Sequence, residues 1–350
     1  HLMKKQFILG ALSAAAATGL AAAEDIVKVF VLAGQSNMEG KATNELMEHQ
    51  ATDDKTKKLF AHLRKDGKWI ERDDVSIKYL NRHGALTIGY GSPKRTGVEL
   101  EFGNTLGNHY KEPVLLIKAA WGGHSLVKLF RSPSAGLPAE EKLQADLKKA
   151  QEQTRKKNEK NGTNDPLPTM DDIKKPYGSS YRNMLAEVKE TFDNYETLFP
   201  QLKGKKLEIA GFVWFQGWND MYGGAELEYA SNMKHFIKDV RKDLKAAKMP
   251  FVIGVMGQNQ SEPATGAMLA VQEAQLSMEK VPEFKGNVRA VRTDVLVDKA
   301  AEAIYPKWRD NFEEWKLTGS DFGYHYMGSA IWFNRMGKAF GAAMEEMLAK

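Results

Sequence analysis

Val29-Phe30-Val31-Leu32-Ala33-Gly34-Gln35-Ser36-Asn37-Met38 is the stretch on which the reading of the fold turns. An apolar, β-branched run that stops abruptly at Gly-Gln-Ser-Asn predicts a buried strand ending in a tight turn, with Ser36 exposed at the strand's C-terminal edge. Open α/β sheets place their chemistry at that edge. A serine there is a nucleophile only when a base, an orienting acid and oxyanion donors reach it from elsewhere in the chain.

Outward from this stretch, residues 75–80, 113–120, 207–215, 251–257 and 288–293 read as further strands. Between them, apolar residues at helical spacing predict helices near 97–110, 181–195, 230–244, 268–278 and 333–347. Strands alternating with helices imply a mainly parallel sheet wrapped on both faces. Residues 44–72 are polar and read as irregular. Residues 131–176 shift to Ser, Pro, Gly, Lys and Asn and read as an insertion with a helix over 139–159, either a lid or substrate wall, or a solvated excursion. With no internal repeat and no second boundary, residues 24–350 read as a single domain.

At 350 residues the chain is long enough to bury a full core. His1-Leu2 ahead of Met3 reads as a vector remnant. Lys4-Lys5, the apolar run at 7–20 and Ala21-Ala22-Ala23 together match a secretory signal peptide ending near residue 23, too short to serve as a membrane anchor. The formal charge of +5 falls to +3 once Lys4 and Lys5 are set aside, too little to argue for nucleic acid. The absence of cysteine excludes disulfides, a thiol nucleophile and a thiolate metal site. Export without disulfides points to a periplasmic or secreted protein. No His/Asp/Glu spacing suggests a metal site.

Four stretches fall where strands end or just before the closing helix: Gly34-Gln35-Ser36-Asn37, Trp121-Gly122-Gly123, Gly217-Trp218-Asn219-Asp220 and Asp321-Phe322-Gly323-Tyr324-His325. Each has a job in acyl transfer. Ser36 Oγ would attack a carbonyl carbon, and His325 would take its proton and return it to the leaving alkoxide. The backbone N–H of Ser36, that of Gly122 or Gly123, and the Asn219 amide are candidate oxyanion donors. Three readings of the acid stand: Asp321, four residues before His325; Asp294, at the end of a strand; or a Ser-His dyad helped by a backbone carbonyl. Gln35, Trp121, Gln216, Trp218 and Tyr324 adjoin these blocks and are candidate substrate contacts, the aromatic rings as platforms for sugar faces or simply as core.

In order and residue type the four blocks resemble the SGNH hydrolases, and more narrowly the carbohydrate acetylesterases of the sialate O-acetylesterase and acetylxylan esterase type, over roughly residues 26–350. Gly34-Gln35-Ser36-Asn37-Met38 is the most specific element, and Gly217-Trp218-Asn219-Asp220 fits the superfamily's Gly-x-Asn-Asp block. Trp218 stands where the acetylesterases usually carry glutamate, and the spacing from Asp321 to His325 is one residue longer than the superfamily's Asp-x-x-His. The resemblance implies a flavodoxin-like three-layer α/β/α sandwich on a five-stranded parallel sheet. It also implies a cofactor-free serine esterase releasing acetate from acetylated polysaccharides or oligosaccharides. A lipase or thioesterase of the same superfamily, and a non-catalytic carbohydrate-binding protein on the same scaffold, are the rival readings.

Overall fold

The computed structural model describes residues 25–350; the signal peptide read from residues 1–23 lies outside them. In chain order the elements that position the site are β1 (Ile26–Gly34), α1 (Ser36–Glu39), α2 (Asn44–Thr52), β2 (Arg72–Tyr79), β3 (Arg82–Leu86), α3 (Glu99–His109), β4 (Val114–Ala120) and α4 (Glu140–Asn161). They continue with α5 (Ser179–Leu198), β5 (Lys206–Phe215), α6 (Tyr229–Asp243), β6 (Phe251–Val255), α7 (Gly266–Ser277), β7 (Val288–Arg292), α8 (Lys299–Ile304) and α9 (Ala330–Leu348).

The central sheet has the strand order β7-β6-β5-β1-β4-β2-β3, and every pairing in it is parallel except that of β3 with β2. Side chains alternate across β1: Val27, Val29, Val31 and Ala33 enter one core, Phe30 and Leu32 the other. A strand buried on both faces reads as a continuous apolar run, which is why β1 is so legible. Phe30 and Leu32 meet Phe102 of α3 and Phe333, Met336 and Phe340 of α9. On the opposite face Val29 and Val31 meet Tyr181 of α5, Phe236 and Ile237 of α6 and Val271 of α7. The result is the expected three-layer α/β/α sandwich.

The sheet is wider than the five strands expected. β4-β1-β5-β6-β7 is the flavodoxin-like order, and β2 with β3 adds a hairpin at the β4 edge, giving a seven-stranded sheet. Tyr79 pairs with Arg82 across a turn in which Leu80 takes φ +53. The weak alternation of Arg-His-Gly-Ala-Leu in β3 gives little strand signal. The stretch read as irregular contains α2, whose first turn is capped by Thr43 Oγ1 accepting from Leu46 N–H. Within residues 131–176, α4 buries one residue, Leu143, and Ser134 ties the segment's start to Asp239 of α6. No helix among the described residues is long and apolar enough to cross a membrane.

β1 lies between β4, which follows it on one side, and β5, which continues the order on the other. This reversal is the switch point at which open α/β sheets form a crevice. There Gly34 passes so close to β5 that a Cβ built on it would stand 2.0 Å from the Phe215 carbonyl oxygen. The Gln35 N–H donates to that same oxygen at 3.3 Å. Gly34→Ala is therefore expected to force the two strands apart and to lower stability by about 3 kcal/mol or more. A urea unfolding midpoint equal to that of the parent chain would refute this account of the crossing.

Candidate active site

α1 begins at Ser36 directly after β1, so the Ser36 side chain sits at the mouth of the crevice, where it is 8% exposed. As the first helical residue its N–H has no acceptor one turn back. His325 arrives from the far end of the chain: its Nε2 lies 3.1 Å from Ser36 Oγ and its Nδ1 3.0 Å from Asp321 Oδ1. Asp321 is thus the carboxylate the structure brings to the histidine. Asp294 is engaged elsewhere, by Arg292 at 2.7 Å and Asn259 at 3.3 Å.

Burial opposes ionisation of Asp321, but hydrogen bonds from His325, the Phe322 N–H and Arg95 together outweigh it and hold its carboxyl below the usual range. An ionised carboxylate only accepts, so His325 Nδ1 carries the proton. Nε2 is then an acceptor for the Ser36 hydroxyl. Both carboxylate oxygens are occupied, Oδ1 by His325 and the Phe322 N–H and Oδ2 by Arg95. Arg95 was not singled out from sequence; it sits on a two-residue strand, Arg95–Thr96, with no pattern to mark it.

The four-residue spacing from Asp321 to His325 is accommodated by a loop closed on itself. Ser320 and Asp321 N–H both donate to the Met327 carbonyl, while His325 and Met327 N–H both donate to the Phe322 carbonyl. Tyr326, Met327 and Gly328 then take left-handed φ values of 53°, 59° and 54°. Three such residues in a row turn the chain into α9. Asn37 Nδ2 donates to the Tyr324 carbonyl at 3.0 Å, stitching α1 to this loop.

Gly122 adjoins the serine: a Cβ built on it would lie 3.7 Å from Ser36 Cβ. Gly123, with φ +77 and open space around it, makes the turn. Asp220 fixes that loop by accepting from the Leu126 and Val127 N–H groups, each at 2.8 Å, and from Gln216 Nε2 at 2.6 Å. Burial pushes its carboxyl up to about 6 against these hydrogen bonds. Asn219 Oδ1 accepts from Gln35 Nε2 at 2.8 Å, so its Nδ2 is the end left to donate. Among the described residues neither that Nδ2 nor the Gly122 N–H has an acceptor.

Gln35 and Gln216, expected to contact substrate, are internal scaffolding instead. Each is 3% exposed. Gln35 Oε1 accepts from the Gly217 N–H, while Gln216 donates to Asp220 and to the His124 carbonyl and accepts from the Tyr229 hydroxyl. Trp121 is also turned aside, packing on Phe130 and lining a separate cavity with Leu80 and Glu187. Trp218 and Tyr324 do stand together at the site, ring centroids 6.0 Å apart, with Tyr324 exposed.

Comparison with known proteins bears on what this arrangement serves. The family model for carbohydrate esterase, sialic acid-specific acetylesterase, matches residues 26–162 and 169–302. Ser36, Gly122 and Asn219 fall inside the match; Asp321 and His325 lie beyond it. Among solved structures, a protein from Arabidopsis thaliana is 16% identical over 92% of this chain and 98% of its own, with a TM-score of 0.50. A carbohydrate acetylesterase from Xanthomonas citri is 14% identical, covering 77% of this chain and 51% of its own at a TM-score of 0.41. NanS is 12% identical over 77% and 78%, at 0.43. No curated protein matches in sequence. At 16% identity the likeness to the Arabidopsis protein speaks to fold alone, and the family match, which spans most of the chain, speaks to activity. The chain belongs to the carbohydrate esterase family of sialic acid-specific acetylesterases, and is a carboxylic ester hydrolase of the SGNH type acting on acetylated carbohydrate.

Proposed function

We propose that this esterase is exported and removes O-acetyl groups through an acetyl-enzyme formed on Ser36, with His325 as general base and acid and Asp321 as its orienting carboxylate. The observation that carries this reading is the continuous chain Asp321–His325–Ser36 ending beside donors with nothing to donate to. The apolar run at residues 7–20 and its Ala21-Ala22-Ala23 sequel support export. Residues 24–350 are then one esterase domain, with 131–176 as an insertion.

Each step follows from an atom's role. His325 Nε2 takes the Ser36 proton as Oγ bonds to the acetyl carbonyl carbon. The charge on the carbonyl oxygen is met by the Ser36 N–H, the Gly122 N–H and Asn219 Nδ2, dipoles fixed before reaction. The imidazolium is stabilised by Asp321, whose other oxygen is held by Arg95. As the carbon–oxygen bond to the sugar breaks, His325 returns the proton to the sugar oxygen. Water then repeats the sequence on the acetyl-enzyme, releasing acetate and restoring Ser36.

Ser36→Ala should abolish release of acetate while leaving the melting temperature within a few degrees of the parent; substantial turnover in that variant would remove the serine mechanism. Loss of the orienting acid can cost about 10⁴ in kcat. Asp321→Asn should approach that figure and Asp294→Asn should stay near the parent rate, a ranking that steady-state kinetics on p-nitrophenyl acetate can reverse. Asn219→Ala should lower kcat on the order of 10²–10³ with KM little changed. A loss below about threefold would take Asn219 out of the oxyanion hole.

A further inference from the structure

Against Asp321 lies an open cavity of about 690 Å³ that neither Ser36 nor His325 lines. It is lined by Leu46 and His49 of α2, by Trp308 and Phe312 of the stretch after α8, and by Asp321 and Phe322. Its size falls within the range of ligand pockets. A row of aromatic rings leads into it from the crevice. Trp218 and Tyr324 have centroids 6.0 Å apart, Tyr324 and Phe322 are stacked at 5.4 Å and 18°, and Phe322 and Trp308 meet edge-on at 6.2 Å, with Phe312 a further 6.4 Å on. Tyr324, Phe322 and Phe312 are 41%, 40% and 51% exposed. Packing does not account for so much aromatic surface left in water along one line.

The position of this row decides what it meets. The histidine that protonates a leaving alkoxide must face the alcohol half of the ester, so the sugar lies on the His325 side and the acetyl methyl on the oxyanion side. The row begins at Tyr324, the residue before His325. Its exposed rings suit the C–H faces of pyranoses, while the side chains of His49, Glu45 and Lys316 supply donors and acceptors for hydroxyl groups around the same cavity. An acyl chain would need a cavity on the other side of the carbonyl. The family match ends at residue 302, short of Trp308, Phe312 and Phe322.

We infer that this cavity and its aromatic row form an extension subsite for further sugar units of an oligosaccharide or polysaccharide whose acetylated unit sits at Ser36. The inference rests on the proposed role of Ser36 and His325, and makes a chain of sugars, not a single one, the preferred substrate. Tyr305 ties the subsite to the machinery, its hydroxyl accepting from the Gly323 N–H at 2.7 Å.

The test is a length series: O-acetylated ladders from one to six units of xylose, galacturonate and sialic acid, with p-nitrophenyl acetate alongside, on the parent chain, Trp308→Ala and Phe312→Ala. On at least one ladder kcat/KM should rise on the order of tenfold or more between one and three units, as one added apolar contact provides. Both variants should lose that gain while hydrolysing p-nitrophenyl acetate within about twofold of the parent rate. Phe312 is half exposed, so its variant keeps the test decisive should Trp308→Ala fold poorly. Rates flat with length on every ladder, or a gain that survives in Phe312→Ala, would overturn the subsite. A rate that climbs with acyl length and falls in these variants would reassign the cavity to acyl chains. Failure of the esterase reading itself would look different: no hydrolysis of p-nitrophenyl acetate that Ser36→Ala abolishes.

Discussion

The left-handed turn at Tyr326-Met327-Gly328 is the constraint on which the site's geometry depends. Non-glycine residues in this region each cost about 1–3 kcal/mol, and Tyr326 and Met327 are two in succession. The opposing terms are larger. Both side chains are fully buried, which contributes roughly 1.5–3 kcal/mol apiece. The Tyr326 hydroxyl is also fully satisfied. Thr293 gives its own proton to the Val255 carbonyl, so Tyr326 donates to Thr293 Oγ1 and accepts from the Gly257 N–H. Burial wins, and the strained turn is held. Its effect is to close the loop that sets Asp321 and His325 against one another, and to aim His325 at the end of β1. Gly328 closes the turn where no side chain fits, since a Cβ there would meet Ser320 Oγ at 2.5 Å and the Asp321 nitrogen at 2.7 Å.

Beneath α1 a second device acts through charge. Lys118 and Glu99 form an ion pair with no solvent exposure, and Lys118 also donates to the Glu39 carbonyl at 2.6 Å, the last of α1. The Tyr79 ring lies over the same ammonium, 4.4 Å to its centroid. Burial drives the Lys118 pKa down, against the pull of Glu99. A pair of this kind adds little net stability, because desolvation consumes most of its Coulombic gain, yet breaking it costs about 3–5 kcal/mol. Its role here is positional: it fixes the C-terminal end of the short helix whose first residue is Ser36.

These particulars explain what was legible in the sequence. β1, β4, β5 and β6 were visible because burial on both faces leaves an unbroken apolar run, and the turn residues after them mark the crevice. The order serine, glycine, asparagine, histidine was visible because each lies at such an ending. The polarity of Gln35 and Gln216 was misleading: an amide that bonds within a loop scaffold has the same letter as one that meets substrate. α2 and β3 were hidden because tertiary contacts override weak local patterns. Arg95 and the aromatic wall after α8 were invisible for a further reason. Their significance comes from proximity to Asp321 across more than two hundred residues in one case, and from a line of rings without sequence period in the other.

An acetyl group offers one methyl to grip, worth about 1 kcal/mol on burial, so discrimination has to come from the alcohol half of the ester. In the proposed mechanism His325 protonates that alcohol, so the residue holding the proton and the surfaces recognising the sugar belong on the same side of the carbonyl. The chain meets this requirement economically in sequence. Trp308, Phe312, Phe322, Tyr324 and His325 follow one another within a single stretch after α8, and the Tyr305 hydroxyl locks the start of that stretch to Gly323. In the proposed binding mode a glycan along the row presses on the same loop that orients the histidine. Binding energy from remote sugar units can then act on the placement of His325 itself, a route by which contacts far from the reacting carbon raise kcat as well as lowering KM.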